Sequence, residues 1–206
     1  MLITLLFQSP LTFVIIGIGL IVALTIHEFA HAYIADKLGD PTARALDRVT
    51  LNPLAHLDPI GTLAILLVGF GWGKPVPFDP YNLQDPKRDT LFIALAGPAS
   101  NFILATALAA VIALTSPAAI LAVPLQIIIQ INVMLGVFNL IPIPPLDGSK
   151  ILAGILPAEH SIEYEKFANR YSTILLLMFI LPIIGGQSLA STIISPIINL
   201  IMNLLL

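Results

Sequence analysis

The chain has 206 residues, 57% of them hydrophobic and 10% charged, with a net charge of −3 and no cysteine. A soluble domain carries about 25% charged residues, so a water-soluble monomer is excluded, as are a disulfide framework and any thiolate chemistry or thiolate metal site. No basic stripe for nucleic acid exists. The few charges are clumped: none precedes His27 and Glu28, none lies between Asp89 and Asp147, and none follows Arg170.

A spanning helix needs about 20 apolar residues, and runs of this kind predict an all-α polytopic membrane protein. Residues 1–9 hold no Lys or Arg, so the basic start of a cleavable signal is missing and the first apolar segment is expected to stay. The first span opens at Pro10 and runs to Ala35, meeting Asp36 and Lys37. The stretch from Gly39 to Pro59 is polar and rich in turn residues. The apolar run Ile60 to Trp72, broken by glycines, is too short to cross. It is expected to be a re-entrant helix or a short extended segment whose exposed backbone could pair edge-on with an incoming strand. After the proline-rich loop Lys74–Asp89 come a second span, Thr90–Leu114, and a third, Ala118–Ile141, ending in Pro142, Pro144 and Pro145. Lys150–Arg170 reads as an interfacial segment, and Tyr171–Leu206, interrupted at Gly185-Gly186, as a C-terminal helical hairpin. The expected organisation is one domain over 1–206: a three-helix core within about 10–155 and C-terminal helices over about 171–206.

All basic residues fall in two blocks, 36–90 and 147–170, and the turn at 115–118 has none. The positive-inside rule puts both blocks on the cytoplasmic side. This works only if Ile60–Trp72 does not cross, in agreement with its length.

At the inner end of the first span stands His27-Glu28-Phe29-Ala30-His31. Residues i and i+4 share a helix face, so His27 and His31 can present two imidazoles to one zinc ion, with Glu28 one step around to take a proton from the attacking water. Polar groups inside a span cost about 2.5–3.5 kcal/mol each on insertion scales and are functional by default; the alternative places all three at the interface, where polarity costs little. A catalytic zinc site takes a third protein ligand. Asp147 lies at the same cytoplasmic end, after the helix-ending prolines and before Gly148, which permits a tight turn. It can point back into the bundle or simply cap the next segment. Asn101 and Asn139 are amides inside apolar spans: each either meets substrate backbone or an oxyanion, or bonds to a neighbouring helix. His56 is either a loop histidine at the interface or an extra metal-site group.

The pair of His27-Glu28-x-x-His31 and Asn139-x-x-Pro142-x-Pro144-x-Leu146-Asp147-Gly148 resembles the site-2 protease family of intramembrane zinc metalloproteases. Ala96-Gly97-Pro98-Ala99-Ser100-Asn101 is similar to that family's Gly-Pro-x-x-Asn feature, and Gly71-Trp72-Gly73-Lys74-Pro75-Val76-Pro77 to a loop of its small prokaryotic members. The resemblance implies His27, His31 and Asp147 as ligands of one Zn²⁺ per chain and Glu28 as catalytic carboxylate; many members of that family add a PDZ module, and the expectation from the length given is a member without one. The implied function is an intramembrane zinc metalloendopeptidase acting on transmembrane protein substrates in the bilayer of a prokaryotic cell membrane. The rival reading is a non-catalytic metal-binding or transport protein, for which Glu28 has no use.

Overall fold

In a computed structural model, residues 2–182 and 188–206 are described, and among them the protein is built of helices with no strand. A short helix α1 (Leu2–Gln8) leads at Ser9 into α2 (Pro10–Lys37), opened by Pro10 at its first turn, where a missing N–H costs nothing. A single turn of helix, α3 (Thr42–Ala45), precedes the short helix α4 (Pro59–Val68). The long helices α5 (Pro86–Thr115) and α6 (Ala119–Asn139) follow, then α7 (Asp147–Ile155), α8 (Ala158–Ile180) and α9 (Leu189–Leu205). Helices α2, α5 and α6 are long and apolar enough to cross a membrane, with mean hydropathies of 2.2, 1.8 and 2.1. The protein is an integral membrane protein.

The three spans pack on one another with small residues inward. Helix α2 buries Gly19, Ala23, Ala32 and Ala35, and α5 buries Ala94, Gly97, Ala105 and Ala109. Lipid is as apolar as leucine, so close backbone approach rather than a hydrophobic drive holds such helices together. The large side chains of α2, Leu11, Val14, Ile18 and Ile21, point outward and stay exposed. A second cluster lies where α5 and α6 meet the C-terminal helices: Ala105, Ala109, Ile129, Val133, Val137, Phe179 and Ile194.

Two segments differ from the sequence expectation. Of the alternatives for Ile60–Trp72, the helical one holds over Pro59–Val68, so the edge-strand reading of Leu63–Val68 is corrected. The cause is local. Asp58 accepts the Gly61 N–H at 2.7 Å, Pro59 opens the helix, and Gly69 closes it in the left-handed conformation at φ 82°. What is extended lies further on, where Gly73 bridges to Leu57. The interfacial segment Lys150–Arg170 is not one element: Leu156-Pro157 divides α7 from α8, and α8 continues past Arg170 to Ile180. The proline cannot extend α7 but can precede a helix. Helices α8 and α9 contact each other as a pair, while Gly185-Gly186, between them, lie outside the described residues.

Candidate metal centre

Helix α2 carries His27 and His31 one turn apart on its buried face, and α7 begins with Asp147 against them. All three are nearly inaccessible, at 3%, 8% and 8% exposed. His27 Nε2 and His31 Nε2 lie 3.0 Å apart, and Asp147 Oδ2 is 3.0 Å from the first and 3.2 Å from the second. Among the described residues this is the group of histidines and acids whose ligand atoms converge, all within 4.8 Å of one another.

The opposite edge of each imidazole is fixed by an acceptor. His27 Nδ1 donates to Asn101 Oδ1 at 2.7 Å, and His31 Nδ1 donates to the Ile93 carbonyl at 2.6 Å. With the protons held there, both Nε2 atoms carry lone pairs, and the third atom is a carboxylate oxygen. Three lone-pair atoms this close need a shared proton or a metal cation among them. Tetrahedral zinc with bonds of about 2.0–2.1 Å sets its ligand atoms about 3.3 Å apart, within a few tenths of an ångström of what is seen. Two imidazole nitrogens, one carboxylate oxygen and outer partners on both rings suit zinc in kind as well as spacing.

The Gly97-Pro98-Ala99-Ser100-Asn101 stretch of α5 now has a physical reason. A Cβ at Gly97 would run into the rings of both His27 and His31, so glycine is what allows α5 to lie against them. One turn later Asn101, completely buried, accepts from His27 at Oδ1 and donates both N–H groups of Nδ2, to the Ala23 carbonyl at 3.0 Å and Asn132 Oδ1 at 2.9 Å. Of the alternatives expected for Asn101, these contacts are the bonds to neighbouring helices, here α2 and α6. Asn139 lies at the end of α6 and donates to the Leu135 carbonyl of its own helix at 3.0 Å; the converging group is His27, His31 and Asp147. His56 is fully buried but elsewhere: its Nε2 donates to the Thr50 carbonyl at 2.8 Å.

Glu28 is half-buried, and its Oε2 accepts the Val76 N–H at 3.1 Å from the extended loop after Gly73. At the α7 end, Gly148 is required because a Cβ there would overlap the carbonyls of Leu140 and Ile141. Asp147 can thus sit tight beneath the end of α6. Two contributors were not singled out by sequence, Asn132 and the Ile93 carbonyl. Asn132 carried the same signal as Asn101 and Asn139, an amide inside an apolar span. The Ile93 carbonyl has no signature in a sequence.

Comparison with known proteins shows the family. The Peptidase family M50 model matches residues 115–181, the part that contains Asp147-Gly148. A homologue named zinc metalloprotease YwhC, from Bacillus subtilis, is 39% identical over 175 residues, covering 81% of this chain and 80% of its own. One named zinc metalloprotease Rip2, from Mycobacterium tuberculosis, is 31% identical over 181 residues, covering 84% and 70%. Among solved structures, the Site-2 Protease from Methanocaldococcus jannaschii superimposes with a TM-score of 0.54 at 25% identity, covering 98% of this chain and 80% of that one. Helices, spans and a buried His/Asp group define a membrane-spanning metalloprotease. The chain belongs to the site-2 protease family of zinc metalloproteases, peptidase family M50.

Proposed function

We propose that the protein is an intramembrane zinc endopeptidase, one domain over residues 1–206, that hydrolyses peptide bonds within or near transmembrane segments of other membrane proteins. The observation that carries the reading is the convergence of His27 Nε2, His31 Nε2 and Asp147 Oδ2 with both Nδ1 atoms already satisfied. These three side chains would hold one zinc ion per chain. When bound, zinc supplies Lewis acidity, polarising a scissile carbonyl and making water a nucleophile near neutral pH.

The protein's own groups do the rest. Asn101 and the Ile93 carbonyl keep each imidazole in the tautomer that leaves Nε2 free. Glu28, next to His27 on the helix but outside the converging set, is the proton carrier. Val76 holds its Oε2, leaving Oε1 to take the proton of the attacking water and return it to the leaving amine. Small residues along α2 and α5 let the helices close around the site and keep lipid out of it. The Lys/Arg bias puts the loops around 36–90, and with them the site, toward the cytoplasmic side. Asp147 follows the third span and so belongs to the same side.

The test is metal analysis of the purified protein together with cleavage of a model transmembrane substrate in lipid. Zinc near one per chain, with cleavage abolished by a chelator and restored by zinc, is expected. Bound zinc without cleavage of any membrane-embedded peptide would favour a binding or transport role instead.

A further inference from the structure

The loop that holds Glu28 is itself held, at every backbone polar group from the Lys74 N–H to the Val76 N–H. Lys74 N–H donates to the His56 carbonyl at 2.8 Å. The Lys74 carbonyl accepts from Arg48 Nη2 at 2.5 Å and the Pro75 carbonyl from Arg48 Nη1 at 3.0 Å. Pro75 has no N–H, and the Val76 N–H goes to Glu28. This three-residue strap therefore runs from a buried guanidinium to the proposed proton carrier.

Arg48 is an unusual residue to bury. It is 4% exposed, and among the described residues it makes no ion pair; its Nε has no partner. Its neighbour in sequence, Arg44, instead pairs with Asp36 at the surface. A buried cation without a counter-ion is costly, so what Arg48 does contact defines its use. The chain reverses at Asp47, in the left-handed region at φ 53°, and Arg48 N–H returns to the Ala43 carbonyl at 2.8 Å. That reversal aims the side chain under the strap. The two nitrogens of one planar fork take two successive carbonyls, a geometry lysine's single ammonium cannot reproduce. The carboxylate whose charge acts on Arg48 is that of Glu28.

We infer that Arg48 is a positioning residue for Glu28, pinning the Lys74 and Pro75 carbonyls so that the Val76 N–H stays aimed at Glu28 Oε2. The inference rests on the reading of Glu28 as proton carrier. The side-chain hydrogen bonds of Arg48 go to the Lys74 and Pro75 carbonyls, and its effect on the reaction passes through the strap.

The test combines a mutant cycle with hydrogen exchange on the full-length, zinc-loaded protein. Arg48→Met should retain stoichiometric zinc and leave KM for a transmembrane substrate unchanged. Its kcat should fall about 10- to 100-fold, the scale of an ångström-size misplacement, with Arg48→Lys between it and wild type. Val76→Pro removes the N–H that reaches Glu28, so adding Arg48→Met to it should cost little more, because both act on one link. Amide exchange in residues 73–78 should accelerate in both Arg48 variants. A folded Arg48→Met protein with wild-type kcat, or the same fold-loss in the Val76→Pro background as in wild type, would overturn the inference. If Arg48→Met does not fold, Arg48→Lys carries the same comparison. Should wild type fail to cleave at all, the proteolytic reading falls. Exchange still decides the physical link: unchanged protection of 73–78 in the Arg48 variants refutes it.

Discussion

Helices α5 and α6 each run through two interiors of opposite character. One lies where α5 meets α2 and α7 and α6 meets α2, and its buried polar groups include Thr25, His27, His31, Asn101, Asn132 and Asp147. The other lies where both meet α9, joined by Phe179 of α8, and holds the apolar cluster Ala105, Ala109, Ile129, Val133, Val137, Phe179 and Ile194. A membrane helix that needs only stability would resemble the second interior throughout. The first commits amides, imidazoles and a carboxylate to a medium that penalises each of them unless it is paired. The pairing is nearly complete, from Asn132 through Asn101 to His27 and from the Ile93 carbonyl to His31. Apart from Thr25 Oγ1, which has no partner, it stops at the three atoms that face one another. The contrast is one of use: polar capacity in the first interior goes into fixing the imidazoles of the candidate metal group, and the apolar cluster makes no such commitment.

Substitutions in the two interiors should therefore fail differently. The largest effect is expected at Glu28, the carboxylate outside the converging group. Glu28→Gln should keep stoichiometric zinc and lose cleavage by about 10²- to 10⁴-fold, the range of a lost acid–base group, whereas His27→Ala or His31→Ala should lose zinc and cleavage together. Near wild-type turnover in Glu28→Gln would remove the proton-transfer role. Gly97→Ala comes next. Its methyl would push against both imidazoles, and zinc affinity should fall by about 10- to 100-fold, as for loss of an outer partner, with little change in helix content by circular dichroism.

Ile129→Ala probes the apolar interior, where Ile129 is fully buried. In a soluble core such a truncation costs about 2–5 kcal/mol. In lipid the water-transfer part is missing, so a smaller loss in thermal stability is expected, with zinc content and cleavage at permissive temperature intact. Loss of zinc in this variant would show that the two interiors are coupled. The smallest effect is expected at Asp40, in the loop after α2. Burial works against its charge, but hydrogen bonds from Thr42, from Asn82 and from the Asp79 N–H prevail and hold its carboxyl below the usual range. A lowered folded value means the contribution is present above about pH 4, the ordinary carboxylate value, and is lost as pH falls through the folded one. Asp40→Asn should flatten the acid side of a thermal-stability profile below about pH 4 and leave neutral cleavage near wild type; a profile unchanged by Asp40→Asn would contradict this.

The legibility of these features in the sequence follows the range of the interactions that make them. His27, Glu28 and His31 lie within one helical turn, so spacing alone puts them together. The spans, and the start of the first at Pro10, follow from local hydropathy and proline chemistry; the second starts at Pro86 behind an Asp85 cap, four residues before the expected Thr90, because Lys87, Arg88 and Asp89 read as loop. Asp147 needed two further steps, the Lys/Arg asymmetry and a motif shared with a family, because nothing local ties it to residue 27. The helical state of Pro59–Val68 was present in the sequence as Asp58-Pro59 before an apolar run and Gly69 after it, a capped helix that the glycine content obscured. The break at Pro157 was likewise visible in principle, but mixed charge across 150–170 read as one interfacial face. Arg48 was not legible at all: it acts on two backbone carbonyls, and a carbonyl belongs to every residue.

The most direct test of the metal centre is X-ray absorption at the zinc edge on protein purified in lipid. Two imidazole nitrogens and one carboxylate oxygen, at about 2.0–2.2 Å, with one further light-atom ligand, are the expected shell, and Asp147→Ala should lose the metal or the carboxylate. A shell with a third imidazole in place of the carboxylate would bring His56 into the site, and a protein that binds no zinc would contradict the His27, His31 and Asp147 assignment altogether.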